Sequence, residues 1–241
     1  MFDPSHWLMW VVLISCVHTY SIVILFHDQP STESIFMTKK LLHVGCGPAR
    51  KNSTTRAFNT DEWEEIRLDI DPEVSPDIIG TMTNMSKVPD ESVDAIFSSH
   101  NIEHLYPHEV PVALAEFLRA LKPDGFAVIT CPDLQSVCAL VAQNKLLEPA
   151  YTTPIPVAPL DILYGHRASL AHGNLFMAHR CGFTESALRQ ALSHAGFSVI
   201  ATIARSAIFD LWAVASKSKR TDPEIREIAS QHFPVGLRRA V

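Results

Sequence analysis

Leu41-Leu42-His43-Val44-Gly45-Cys46-Gly47-Pro48 is an apolar run ending in two glycines, and Leu68-Asp69-Ile70-Asp71-Pro72 follows a little over twenty residues later. Glycines at a strand exit remove the side chains that would hold a ligand off the backbone. An acid ending the next strand offers carboxylate oxygens to a pair of ribose hydroxyls, the layout of doubly wound nucleotide sites. The pairing predicts a nucleotide-cofactor site. A dinucleotide fingerprint needs a third glycine at position 50, where this chain has Arg50, so hydride transfer with a nicotinamide cofactor is disfavoured.

His100-Asn101-Ile102-Glu103-His104 spells H-x-x-E-H, the letters of an inverted zinc-protease signature. That signature works on a helix with a third ligand downstream. Here it follows a buried strand, so no metal is expected, and a hydrolase built on His100 and His104 is the remote alternative. A second group of imidazoles lies in Leu134 to Phe183, in Tyr164-Gly165-His166-Arg167, His172-Gly173-Asn174 and His179-Arg180. The plain reading of these is a solvated loop. The functional reading is a lid over a polar acceptor, with His166 and His179 as general-base candidates.

The elements that must position these residues follow from periodicity. Strands are predicted over Lys40 to Gly45, Glu65 to Ile70, Asp77 to Gly80, Ala95 to Ser98 and Phe126 to Thr130, short apolar runs of the kind parallel sheets bury on both faces. Glu109 to Leu121 carries Val110, Ala113, Leu114, Phe117, Leu118 and Leu121 on one helical stripe, and Thr184 to Ala195 carries Leu188, Ala191, Leu192 and Ala195 on another. Phe197 to Ile203 and Leu211 to Ala215 are the last two strands. Between the first two strands the Asn52-Ser53-Thr54-Thr55 cluster predicts loop rather than a regular helix. Leu134 to Phe183 is too long for a plain connection.

Taken in order, the glycine turn, Ser92 to Leu105 with its S-H-x-x-E-H letters, Phe117 to Phe126 with R-x-L-K-P-x-G, and Ala195-Gly196-Phe197 resemble the class I S-adenosylmethionine-dependent methyltransferases, in the type 11-like subgroup, over Met37 to Ser216. The resemblance implies an α/β fold, a Rossmann-like doubly wound sheet of about seven strands with an antiparallel last strand and helices on both faces. It implies S-adenosyl-L-methionine as cofactor, with Gly45, Cys46 and Gly47 along the methionine portion, Asp69 on the ribose and Ile70 against the adenine. Thr81 and Met82 stand beside the adenine, Ser99 and His100 contact the cofactor, and Glu103 and His104 hold the turn or face the substrate. His43, Ala49 and Thr81 depart from the family pattern, which has an acid, a glycine and an acid there. Those departures motivate a second reading, a non-catalytic cofactor-binding scaffold. The expected acceptor is a small molecule or a glycan or lipid precursor.

A chain of 241 residues with net charge -6 suits one sizeable domain and disfavours a nucleic-acid partner. Five cysteines without metal spacing fit a reduced, cytoplasmic setting. Trp7 to Phe26 is an apolar run of about 20 residues, the length that spans a bilayer as a helix. Residues 1–36 are therefore expected to be either a membrane anchor, with the domain on the cytoplasmic side, or an extension preceding a start at Met37. Residues 37–216 are the expected catalytic domain, with the insertion 134–183, and 217–241 the expected polar tail, with one short helix starting near Asp222-Pro223.

Overall fold

The structure, a computed structural model, describes residues 10–16, 19–25, 38–151 and 156–234. The chain divides into two compact units, Met1–Phe36 and Met37–Val241. In the first, β1 (Trp10–Cys16) and β2 (Thr19–Leu25) form an antiparallel pair, in register from Trp10 opposite Leu25 to Cys16 opposite Thr19. This corrects the expectation of a spanning helix over 7–26. Among the described residues no helix is long and apolar enough to cross a membrane. Val11, Val12, Ile14, Ile22, Val23 and Ile24 are β-branched, and such side chains favour the pleated strand over the helix.

The second unit is built on β3 (Lys39–Val44), β4 (Trp63–Asp69), β5 (Ile78–Ile79), β6 (Val93–Ser99), β7 (Leu121–Pro132), β8 (Val199–Arg205) and β9 (Asp210–Ser216). They form one seven-stranded sheet in the order β5-β4-β3-β6-β7-β9-β8. The five strands from β5 to β7 are parallel, while β9 runs antiparallel to both β7 and β8. The chain leaves β3 toward β4 on one side and returns to β6 on the other. The order reverses there, and the carboxyl ends of β3 and β6 border the crevice where such sheets bind ligands. β7 begins five residues earlier than Phe126, directly after α1 (Val110–Ala120), across a register irregularity between Val93 and Ala95.

Alternation along the strands divides the core. Leu42, Val44, Ile96 and Ile129 face α1 and α5 (Glu185–Ala195), which pack on each other through Leu114, Phe117, Leu188 and Leu192. Leu41, Ala95, Phe97 and Val128 face the other side. No α-helix follows β3, as the loop-like composition predicted, and only a 3-10 turn at Lys51–Ser53 forms. The vacant face is filled by Phe58, edge-on to Trp63 at 4.9 Å, and by α6 (Asp222–His232), which buries Ile225, Ala229 and His232. The short helix expected near Asp222 in the polar tail is thus packed on the sheet. Its Ile225-Ile228-Ala229-His232 spacing is a helical stripe inside a polar sequence. The long connection after β7 holds α2 (Leu134–Ala142), α3 (Pro159–Tyr164) and α4 (Arg167–Ala171).

Candidate active site

The glycine turn leaves β3 with Gly45 at φ +63° and Gly47 at φ +52°, both left-handed. A Cβ on Gly45 would lie 2.2 Å from Oδ1 of Asn101, whose amide donates to the carbonyls of Val44 and Ser99 at 3.0 Å each. Asn101 thus welds the end of β3 to the end of β6, and only a glycine fits beneath it. The N–H groups of Gly45 and Cys46 donate to Leu68 O at 2.8 and 3.2 Å. Gly47 N–H donates to Asp69 Oδ2 at 2.7 Å and Asp71 N–H to Asp69 Oδ1 at 2.9 Å.

A buried guanidinium holds the glycine loop in place. Arg67, 3% exposed, donates to the carbonyls of Gly47 (2.6 Å), Ser75 (2.7 Å), Ala49 (3.1 Å) and Val74 (3.2 Å). It ties the glycine loop to the loop after β4, and four carbonyl dipoles solvate its charge. The sequence reading missed it. Its only signal was a cation between the apolar Ile66 and Leu68 of a buried strand.

These groups edge a cavity of about 550 Å³, within the range of small-molecule sites. One half is lined by Gly45, Gly47, Asp69, Ile70, Thr81 and Met82, all expected from the sequence. Cys46 does not line it. Its side chain is buried in the core, and burial pushes the thiol up to about 11 against the opposing charge of Arg67. His43 and Ala49 also lie outside. The His43 ring points to the opposite face of the sheet, with Nδ1 2.8 Å from Glu65 Oε1, and burial lowers its pKa despite that carboxylate.

The other half is lined by Ser99, His100, Asn101, His104 and Leu105, and from the long connection by Asn174, Phe176, Met177 and Arg180. The connection is tied down by backbone. Arg180 and Cys181 N–H groups both donate to Glu103 O, at 2.8 and 3.2 Å, and Arg180 Nη1 donates to His104 O at 2.7 Å. His100 is left-handed at φ +53°, unusual for a residue with a Cβ. Its N–H donates to Thr130 O at 2.9 Å, and its carbonyl lies 3.1 Å from His104 Nε2. Its Nδ1 stands 3.3 Å from Oε1 of Glu103, which is 1% exposed. Burial disfavours the charged form of both groups, yet each outweighs that for the other, so His100 is raised and Glu103 lowered from their ordinary values.

The two expected general bases sit elsewhere. His166 precedes α4 with Nδ1 2.9 Å from Ser169 Oγ, and it does not line the cavity. His179 packs edge-on against His104 at 4.9 Å, with Nδ1 2.7 Å from Ile162 O and its pKa lowered by burial. Glu103, His104 and His179 bring potential metal-ligand atoms within 4.8 Å of one another. His104 is spent otherwise, since its two nitrogens face the carbonyls of Ala178 and His100 at 3.1 Å each. Glu103 and His104 stand on a 3-10 turn, Ile102–His104, rather than on the α-helix that an inverted zinc signature requires.

A sheet that reverses order at a left-handed glycine turn, with a strand-end carboxylate in the same cavity, defines a Rossmann-like fold. Residues 42–129 match the family model described as a methyltransferase domain. Among solved structures, a SAM-dependent methyltransferase from Archaeoglobus fulgidus shares the fold at 15% identity and TM-score 0.51, over 75% of this chain and 87% of that one. The Burkholderia thailandensis 1,6-didemethyltoxoflavin-N1-methyltransferase, solved with S-adenosylhomocysteine bound, matches at 15% identity and TM-score 0.47, over 75% and 71%. A possible exported protein from Bordetella parapertussis matches at 17% identity and TM-score 0.48. It is covered over 62% of its length, against 76% of this chain. A search of the curated proteins found no match.

Proposed function

We propose that the protein transfers a methyl group from S-adenosylmethionine, held by the Gly45–Gly47 turn and Asp69, to an acceptor that enters beneath residues 174–180. The observation that carries this is the Asp69 carboxylate. Two backbone N–H groups fix it at the cavity edge, and each oxygen keeps a lone pair for a ribose hydroxyl. The other residues fit the same ligand. A Cβ on Gly47 would meet nothing within 4 Å, so the turn is open above it, and Ile70 and Met82 offer apolar surface for the adenine. The bound cofactor supplies a methyl carbon already activated by a sulfonium, which leaves the chain to bind, align and exclude water.

The acceptor side combines Ser99, His100 and Arg180 with Leu105, Phe176 and Met177. That lining supports a small molecule, or a glycan or lipid precursor, with one apolar face. Residues 37–216 are the proposed catalytic part, and the free thiols of Cys46, Cys131, Cys138 and Cys181 agree with a reducing, cytoplasmic setting. The scaffold reading rested on His43, Ala49 and Thr81. With the first two outside the cavity, only Thr81 still supports it.

Titration calorimetry with S-adenosylhomocysteine tests the proposal. Wild-type protein binds it, and Asp69→Ala weakens binding by about 1–3 kcal/mol, the range for polar groups left unpaired in a desolvated site. Equal affinity in wild type and variant sinks the assignment.

A further inference from the structure

We propose that His100 takes the proton of the methyl acceptor, with the buried Glu103 carboxylate as its positioning residue, so that the acceptor atom is a hydroxyl oxygen or an amine nitrogen. The proposal rests on the cofactor reading above. The acceptor's oxygen or nitrogen bonds to the methyl carbon, and its proton passes to Nε2 of His100. The electron pair of the broken carbon–sulfur bond stays on sulfur.

Three observations converge on this residue. His100 lines the acceptor half of the cavity with half of its side-chain surface open. Its Nδ1 is turned to Glu103, which leaves Nε2 as the nitrogen that can meet a ligand. Its backbone is held in a left-handed conformation by the bond to Thr130 O on one side and by His104 on the other. Such strain persists where the surroundings over-determine it and gathers at functional sites.

Glu103 supplies a fourth observation. Both of its oxygens are buried without a hydrogen bond of good geometry, a rare state for a carboxylate. It is surrounded by imidazoles from two elements, His100 and His104 on its own turn and His179 from the connection, with the thiols of Cys131 and Cys181 also nearby. Asp210 and Arg205 face His100 from the β8–β9 edge with opposing effects. An unsatisfied buried carboxylate strengthens His100 as a base, whereas His104, which also borders the cavity, has both ring nitrogens against carbonyls. His166 and His179 lack that combination of exposure and partner.

The test uses full-length protein saturated with S-adenosylhomocysteine and reads carbethoxylation of His100 by diethyl pyrocarbonate in peptide mass spectra. This reagent acylates only the neutral imidazole. His100 should be modified with the site filled, at a rate that rises with pH through a midpoint above 6.5. In Glu103→Gln the midpoint should fall, giving a severalfold faster reaction at pH 6. Complete protection by S-adenosylhomocysteine makes His100 a cofactor contact and overturns the proposal. So does a wild-type midpoint at or below 6.5, which requires no variant to fold, or an unmoved midpoint in the variant. Calorimetry on the same samples separates the readings. Without S-adenosylhomocysteine binding both fall, whereas binding with protection removes only this one.

Discussion

The two halves of the cleft are assembled differently. The half expected to hold the cofactor is held, apart from the Asn101 bond to Val44, by two side chains on backbone groups at most 22 residues away: Asp69 accepts from Gly47 and Asp71 N–H, and Arg67 donates to four carbonyls. The acceptor half is joined across long separations, Glu103 to Arg180, His104 to Ala178 and His100 to Thr130. A local network can keep its geometry while the distant one is rebuilt around a different acceptor. On the proposed reading the cofactor side is the fixed side, and the connection 134–183 is the part proposed to carry the specificity.

The sharpest way to break this contrast is to remove Arg67. Arg67→Met keeps an apolar stem but leaves four carbonyls without their donor. Each unsatisfied buried acceptor costs about 1–3 kcal/mol, and with water replacing some of the bonds a net loss of about 4 kcal/mol is expected. Urea unfolding should show it, together with loss of S-adenosylhomocysteine binding. A variant of unchanged stability would mean that the glycine turn is held by something other than the guanidinium.

The next largest effect lies on the opposite face of the sheet and controls for the first. Burial pushes His232 down to about 4, with Thr55 Oγ1 2.7 Å from its Nδ1. The unfolded chain takes up this proton near the ordinary 6.5 and the folded chain only near 4, so the unfolded state binds more protons between those values. Stability is whole above pH 6.5 and falls on acidification toward pH 4, by about 3 kcal/mol for a shift of this size. His232→Phe, beside Phe58 and Phe126, should flatten the pH dependence of the urea midpoint across that window. A slope that survives in the variant assigns the effect to other groups.

How much was legible follows the same division. The strands, the glycine turn and the acid at the end of β4 were readable because their signals are short-range, apolar runs, glycines and a strand-end acid, while the doubly wound sheet came from the family resemblance. The absent helix after β3 was readable from its loop composition. What covers its face was not, because Phe58, Trp63 and α6 meet from segments more than 150 residues apart, and a helix with three buried positions looks polar in composition. His166 and His179 were chosen for residing in the connection, whereas entry into the cavity is decided by which backbone pairs with Glu103. Phe176 and Met177 reach it through that pairing, and nothing in their neighbours announces it. The apolar run at 7–26 satisfied the length of a spanning helix, but length alone does not separate one helix from two short strands. The β-branched content was the unused signal.

The smallest expected effect separates fold from ligand within the glycine turn itself. Gly45 and Gly47 are both left-handed, but a Cβ on Gly45 strikes Asn101, whereas one on Gly47 meets open space. Gly47→Ala therefore pays only the backbone cost of a left-handed alanine, about 1 kcal/mol in unfolding free energy. Gly47 lines the cavity that the cofactor is proposed to fill, with open space where the methyl would stand, so S-adenosylhomocysteine affinity should fall by more than the stability does. The two measurements on one variant decide between a turn that merely folds and a turn that binds. Affinity unchanged beside a 1 kcal/mol loss of stability would place the methionine portion of the cofactor away from Gly47, leaving Asp69 as the sole anchor on this side.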